Sequence, residues 1–506
     1  MTVRADSVHA LVERAAERQP EATYAVRTDG GAALSFAELR LSCRNVGAWL
    51  RGRGIGPGDT VSFVMPNGLQ TLRLLLGTMH AGVCVNPVNL LAQPEQMRYV
   101  LDHSDCALVL VAPEWEERVR TMAAEVARPI QVVVAAPDGQ GFIGDAADSS
   151  ACTPPDAAAT ALLMYTSGTT GVPKGVMLTH ASVAANAEAI GVEHGLGPDD
   201  RVLAVLPLYH INAFVVTMLA PLAHGGSLAM TARFSAAQFW RQAVESGCTW
   251  LNVVPTIISY LIEGEALPRE RLARIRFCRS ASAALPSEQH RAFEAKFGIG
   301  IVETMGLTET AAPAFSNPLD PARRKLGSVG RASGGEARVV DAALEPVADG
   351  TTGEIVIRGP HVMRGYYRNP DATAASFTPD GWLRTGDLGH RDADGFFFVT
   401  GRIKELIIKG GENIAPREID DVLIAHPAVR EAAAVGIPDR HYGQEIMACV
   451  VLRPGSACTE DELRDFCLER LGRYKVPKVI RFVATLPRGP SGKVQRLKLL
   501  GNAPGT

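Results

Sequence analysis

The sequence lacks a strong charge of either sign: 51 Lys and Arg stand against 54 Asp and Glu, for a net charge of −3. A protein drawn to nucleic acid or to an anionic membrane by bulk attraction would carry a clear basic excess, so neither is expected as a partner. Cysteine pairing is missing as well. The nine cysteines are scattered, with no C-x-x-C pair and no Cys/His spacing suited to zinc. Free thiols in a reducing compartment, the cytoplasm, follow from that pattern. No apolar leader opens the chain, because Met1 to Pro20 carries Arg4, Asp6, Glu13, Arg14, Glu17 and Arg18; no secretory signal is expected. Internal repeats and low-complexity tracts are absent. One charge-free run, Val202 to Ala232, is long enough for a membrane span. Pro207, His210, Asn212, Pro221, His224, Gly225 and Gly226 interrupt it, and it reads as strand, loop, helix and strand inside a core.

What is present is an alternation of helical and strand patterns. At 506 residues the chain is too long for one hydrophobic core, so at least two domains are expected. Val8 to Arg18 and Ser35 to Arg53 read as amphipathic helices. The second is opened by Ser35 with Glu38 three residues on, a capping box. Val61 to Met65 reads as a buried strand and Leu69 to Ala81 as a helix. Such alternation implies a largely parallel sheet with helices on its faces, and His9, His80 and His103 read as scaffold within it. After an Ala/Pro/Thr-rich linker at 151–160 the rhythm continues, with a helix from Pro286 to Phe297 stopped by Gly298. From Gly327 to Thr400 the period shifts toward two, as in a small antiparallel sheet or barrel. A smaller α+β pattern follows Gly401-Arg402-Ile403-Lys404-Glu405. The expected class is α/β. A large N-terminal domain of stacked α/β sheets with a small barrel-like part spans 1–401, and a small mobile α+β domain spans 402–506.

The chain is organised around Tyr165-Thr166-Ser167-Gly168-Thr169-Thr170-Gly171-Val172-Pro173-Lys174-Gly175. A buried strand, Ala161 to Met164, precedes it, and a helix from Thr179 to Ile190, with Thr179 as N-cap, follows. Glycines let backbone N–H groups approach an anion, hydroxyls donate without adding charge, and one lysine adds a compact positive charge. By composition this is a phosphate-gripping loop. It is not the P-loop of nucleotide hydrolases, G-x-x-x-x-G-K-[ST], because Lys174 is followed by glycine and no hydroxyl stands there for magnesium.

Here the sequence resembles the adenylate-forming enzymes: acyl-CoA synthetases, peptide-synthetase adenylation domains and firefly luciferase. The resemblance runs from near residue 30 to residue 498, through several motifs in the family's order. It implies that Thr166, Ser167, Gly168, Thr169, Thr170, Gly171 and Lys174 hold ATP phosphates. Glu303-Thr304-Met305-Gly306-Leu307-Thr308-Glu309 resembles the family's Y-G-x-T-E motif, with Met305 where an aromatic residue usually stacks on adenine. Thr308 would bond the α-phosphate, and Glu309 would be a hard oxygen ligand for Mg2+. Ser280-Ala281-Ser282-Ala283-Ala284-Leu285-Pro286 resembles the loop that lies along adenine and the acyl pocket. The ATP contacts implied here are Ser282, Ala283, Ala284, Thr304, Met305 and Gly306. Thr385-Gly386-Asp387 matches T-G-D, with Asp387 and Arg402 on the ribose hydroxyls.

In the smaller domain Lys404 takes the hinge position. Lys409-Gly410-Gly411-Glu412-Asn413-Ile414 resembles the loop that lines the thiol channel, with Gly410 and Gly411 against coenzyme A. Pro487-Arg488-Gly489-Pro490-Ser491-Gly492-Lys493 resembles P-x-x-x-x-G-K, with Lys493 as the catalytic cation of adenylation. Arg470 to Lys498 holds nine Lys/Arg and no Asp/Glu. It reads mostly as a solvated basic face, with Lys475 offered as one contact to CoA phosphates. Pro207-Leu208-Tyr209-His210-Ile211-Asn212 resembles the wall of the acyl pocket, with His210 as gate.

The resemblance implies a ligase that uses ATP, Mg2+ and coenzyme A to turn a carboxylic acid into an acyl-adenylate and then a thioester. The alternative acceptor is a carrier-protein thiol or another nucleophile that takes the acyl-adenylate, and a homodimer stays open. No acid stands between Ile211 and Val216 to bind an ammonium, which argues against amino acids. The acid pocket is assigned to His210, Asn212, Phe214, Val254 and Ser280, with Pro255, Ser282 and Met305, a lining for a small to medium acid. No arginine stands out as partner for a second carboxylate; Arg233 and Arg279 are the two to consider.

Overall fold

Short apolar runs rich in Val, Leu and Ile become parallel strands covered on both faces, as buried strands must be. The structure, a computed structural model, describes residues 6–139, 153–166, 172–488 and 494–502. Two large sheets carry most strands of the first part of the chain. In the nine-stranded sheet Ile301–Leu307, Phe277–Ser280, Trp250–Val253, Arg201–Ala204, Ser227–Met230 and Thr23–Arg27 lie side by side and parallel. In the seven-stranded sheet Gln131–Val134, Leu108–Val111, Thr60–Val64, Cys84–Pro87 and Thr160–Thr166 do the same. One continuous core takes residues from both, among them Val61, Val85, Leu162, Val202, Leu228 and Leu251.

The helices begin and end where local chemistry places them. The helix Phe36–Arg51 is capped by Ser35, whose hydroxyl accepts from Glu38 N at 3.2 Å while the Glu38 carboxylate accepts from Ser35 N at 2.7 Å. A cap of this kind is worth about 1 kcal/mol. Thr179 caps His180–Glu193, accepting from Ser182 N at 3.1 Å. Gly298 ends Ser287–Phe297 at φ 70°, a left-handed turn glycine takes without penalty. The charge-free run from Val202 becomes the end of a strand, a π-helix Asn212–Leu219, a short helix Ala220–His224 and the strand Ser227–Met230. Among the described residues no helix is long and apolar enough to cross a membrane.

One element departs from the expectation. The stretch after Pro173 is not simply a loop into the helix: Lys174–Thr179 is a strand, antiparallel to Thr160–Thr166. Pro173 and Gly175 argue against a strand when read alone, since proline withholds a donor and glycine adds no packing. Here Gly175 fits a close approach, because a Cβ would stand 3.0 Å from Leu163 Cδ1 and 3.1 Å from Tyr165 Cζ, tight enough that those side chains would have to shift.

The period-two region is a four-stranded antiparallel sheet in the order Glu336–Val340, Gly353–Arg358, Leu383–Arg391, Phe397–Arg402. Beyond it stands a smaller α+β unit. Its five-stranded sheet includes Val429–Asp439, Gly443–Leu452 and Val479–Phe482. That unit has its own core, built on Ile407, Ile414, Ile419, Leu423, Val450 and Ile480. The chain is therefore a large N-terminal domain followed by a smaller C-terminal one. Arg417 Nη1 reaches across to donate to Val399 O at 2.8 Å.

Candidate active site

The hairpin places Thr166 directly opposite Lys174, at the end that leads into the segment connecting its two strands. Ser167, Gly168, Thr169, Thr170 and Gly171 lie outside the described residues. A third strand, Gly365–Tyr366, adds antiparallel to the same hairpin, with Tyr366 opposite Val176. This brings in a residue that no sequence motif had marked. Lys174 Nζ stands 4.9 Å from the Tyr366 ring centroid, and Tyr366 Oη donates to Glu309 Oε1 at 2.8 Å. Burial, then the neighbouring Glu309 charge, raises the Tyr366 phenol, so it stays protonated and keeps donating. The tyrosine fixes one carboxylate oxygen of Glu309 and leaves the other for a second partner.

Glu309 is presented by a tight turn. Ile301–Leu307 ends at the sheet edge, and Thr308–Thr310 makes one turn of 3-10 helix. Thr310 Oγ1 accepts from Leu307 N at 3.0 Å and lies 2.8 Å from Ala312 O, its own acceptor. Ala311 and Ala312 both take positive φ, 53° and 92°, which an alanine adopts only under constraint. At Gly306 a Cβ would fall 2.0 Å from Ala312 O, so glycine alone lets the chain fold back there. Thr304 Oγ1 donates to Ser280 O at 3.4 Å, tying this strand to the adjacent small-residue loop. In that loop Ser282 has φ 75°, and Ala283 and Ala284 are exposed. Met305, where an aromatic residue was expected, is partly buried against the four-stranded sheet's core.

Behind the turn, His290 Nδ1 bonds Glu303 Oε1 at 3.0 Å and Nε2 bonds Glu294 Oε1 at 3.2 Å. Burial would lower the imidazole pKa, but the bonds and charges of Glu294 and Glu303 together outweigh it and hold it up to about 9. A folded-state pKa above the usual 6.5 means stability fully present below pH 6.5 and lost as pH rises through 9. Denaturant unfolding at pH 6.5 and pH 9.5 is expected to show a loss on the order of 2 kcal/mol that His290→Gln lacks. An equal loss in both proteins would remove His290 as its source.

Asp387 and Arg402 meet as their adjacent strands run antiparallel, each the other's register partner. Arg402 Nε donates to Asp387 Oδ1 at 2.7 Å, and Asp387 is buried. Lys404 follows in an exposed turn, Ile403–Glu405. Gly410 and Gly411, at φ 61° and 89°, form the two-residue turn of the hairpin Ile407–Lys409 and Glu412–Ile414. A turn positive at both centres needs such residues whatever else it does. Lys493 lies outside the described residues. Three residues on, Arg496 is held by Glu405 at 3.1 Å, Asp420 at 2.6 Å and Ala434 O at 3.0 Å. Lys475, offered for CoA, is engaged in an ion pair with Glu418 at 2.6 Å.

The residues assigned from sequence to the acyl pocket lie around the start of the π-helix. Such helices are rare and recur at functional sites. His210 accepts Phe214 N on its carbonyl at 2.9 Å, Phe214 is fully buried in the main core, and Val254 caps the helix Pro255–Glu263. Asn212 and Ser280 are both buried. Of the two arginines, Arg233 is exposed and Arg279 is 1% exposed. Arg279 Nη1 donates to Asn212 Oδ1 at 2.6 Å and to Asn252 Oδ1 at 2.7 Å. Asn212 Nδ2 in turn donates to Ser282 Oγ at 3.4 Å. Among the described residues no carboxylate pairs with this guanidinium, and its Nε has no hydrogen-bond partner. Burial lowers its pKa to about 9, which still leaves it charged at neutral pH. A buried ion without a counter-ion costs several kcal/mol.

The sequence matches the AMP-binding enzyme family over residues 12–367 and the AMP-binding enzyme C-terminal domain over 418–493. It is 57% identical over 504 residues to a sulfoacetate–CoA ligase of Cupriavidus necator, covering 98% of both chains. It is 34% identical to an oxalate–CoA ligase of Arabidopsis thaliana, covering 97% of both. The fold superposes on ATP-bound MatB from Rhodopseudomonas palustris with a TM-score of 0.91, at 31% identity, over 98% of this chain and 99% of that one.

Proposed function

This chain belongs to the AMP-binding enzyme family, and on that premise we propose how its two domains share one reaction. It is an AMP-forming acid–thiol ligase that makes an acyl-CoA through an acyl-adenylate. A carboxylate is a poor acyl donor, since its charge is delocalised and its leaving group would be oxide. Attack of a carboxylate oxygen on the α-phosphorus of ATP expels pyrophosphate and leaves AMP as a competent leaving group. The CoA sulfur then takes the acyl carbon, and AMP departs with the bonding pair.

Thr166, Lys174 and the residues between them hold the phosphates, with Thr308 on the α-phosphate. Asp387, steadied by Arg402, accepts from the ribose hydroxyls. Lys493 faces the charge that builds during adenylation, and the Gly410–Gly411 turn serves the thiol. These two groups belong to the same smaller domain, so that domain must turn between half-reactions, about Lys404 and from a boundary near 402. A magnesium ion fits at Glu309, which has one oxygen engaged by Tyr366 and one remaining. It would neutralise phosphate charge there.

The observation that supports this reading is that Lys174 and Glu309 both meet Tyr366, which brings a cation and a carboxylate close together. The acid is a short one with a second acidic group, as the names of the sulfoacetate and oxalate ligases describe for those proteins. The test is product analysis with sulfoacetate, ATP and Mg2+, with and without CoA. AMP, pyrophosphate and thioester in equal amounts, all dependent on CoA, are expected. Formation of ADP and phosphate, or pyrophosphate release indifferent to CoA, would contradict it.

A further inference from the structure

We propose that Arg279, clamped by Asn212 and Asn252, is the residue that reads the second anionic group of the acid, and so selects sulfonated or dicarboxylic acids over acids with one charge. This deepens the ligase reading above and rests on it.

The guanidinium lies at the end of a parallel strand, Phe277–Ser280, immediately before the loop that carries Ser282. Its two acceptors are carboxamide oxygens, at 2.6 and 2.7 Å. These orient the fork without neutralising it. Nε, equally buried, donates to nothing among the described residues. The nearby His194 does not help: burial, with Arg279 second, lowers its pKa to about 3, so it is neutral. A protein that needed only packing at this position would use an aliphatic side chain, since replacing buried charge by apolar volume is often neutral or stabilising. A buried, oriented and uncompensated cation is what a bound anion requires, and guanidinium matches the flat oxygen pairs of carboxylate and sulfonate. Asn212 is the link to the chemistry. It is a wall residue of the acyl pocket, it holds Arg279 with its oxygen, and it reaches Ser282 with its nitrogen. On this reading a short acid whose carboxylate faces the α-phosphate turns its far end toward this cluster.

The test compares acids that differ only in that far end. Sulfoacetate, malonate and oxalate are each measured against the neutral-ended counterpart: methylsulfonylacetate and the two monomethyl esters. Acid-dependent ATP–pyrophosphate exchange gives kcat/KM. The wild-type enzyme is expected to prefer at least one dianionic acid over its counterpart by a hundredfold or more. Arg279→Met, close in length and uncharged, should erase that preference while still exchanging with the neutral-ended acid. Asn212→Asp supplies the missing carboxylate in place, so it should keep or raise the melting temperature and also erase the preference. A structural role alone would lower exchange with both members of each pair equally in Arg279→Met and leave the preference intact. Overturning results are a wild-type enzyme that shows no preference, or an Asn212→Asp enzyme that keeps it. Turnover with singly charged acids alone would sink this inference and leave the ligase standing. No CoA-dependent turnover with any acid would remove both.

Discussion

Lys493→Ala is expected to lower acid-dependent pyrophosphate release by about a thousandfold while leaving ATP binding nearly unchanged. As the carboxylate attacks, negative charge builds on both reacting oxygens. A lysine roughly 4 Å away at an effective dielectric near 20 stabilises that charge by roughly 4 kcal/mol, or about three decades in rate. The effect belongs to the first half-reaction only. Acyl-adenylate supplied from outside, with CoA, should still yield thioester within a few-fold of the wild-type rate, because the proposed rotation takes Lys493 out of the second half-reaction. The variant should fold, since the segment after it is anchored by Arg496 on Glu405, Asp420 and Ala434 O. Equal losses in both halves would refute a domain that serves them in turn, and unchanged pyrophosphate release would remove Lys493 from catalysis.

Glu309→Gln should reduce kcat/KM for ATP by about a hundredfold, the range seen when one preorganised charged group leaves a phosphate site. The amide can still accept from Tyr366 Oη, so the turn is kept and charge alone is lost. Tyr366→Phe is the matched control. It removes the bond but not the charge and should cost only a few-fold. Calorimetry separates the causes: Glu309→Gln should weaken binding of Mg–ATP more than of ATP without metal. A larger effect from Tyr366→Phe than from Glu309→Gln would mean that the carboxylate serves structure, not a cation.

Much of this molecule is readable from sequence wherever the physics is local. Ser35, Thr179 and Gly298 mark helix ends because caps are decided within four residues. Thr308-Glu309 and Asp387 with Arg402 are marked in the sequence because their motifs stand in a family's order, and the structure pairs Asp387 with Arg402. What escaped depends on distant pairing. Lys174–Thr179 is a strand only because Thr160–Thr166 and Gly365–Tyr366 flank it, which overrides Pro173 and Gly175. Tyr366 reaches Glu309 through that same pairing, with nothing in its neighbours to announce it. The isolation of Arg279 is the plainest case. An arginine in a strand has no readable partner until Asn212 and Asn252, from two other elements, are seen to hold it and no carboxylate is.

The central claim is that activation passes through an acyl-adenylate, and one isotope experiment decides it. The acid that supports turnover is prepared with 18O in the carboxylate that reacts, and the products are separated after a single turnover with ATP and CoA. One labelled oxygen in the phosphate of AMP, and none in pyrophosphate, is the predicted result, because the attacking oxygen stays with the α-phosphorus when the thiol displaces it. Label in pyrophosphate or in inorganic phosphate would place the attack on another phosphorus and contradict the account.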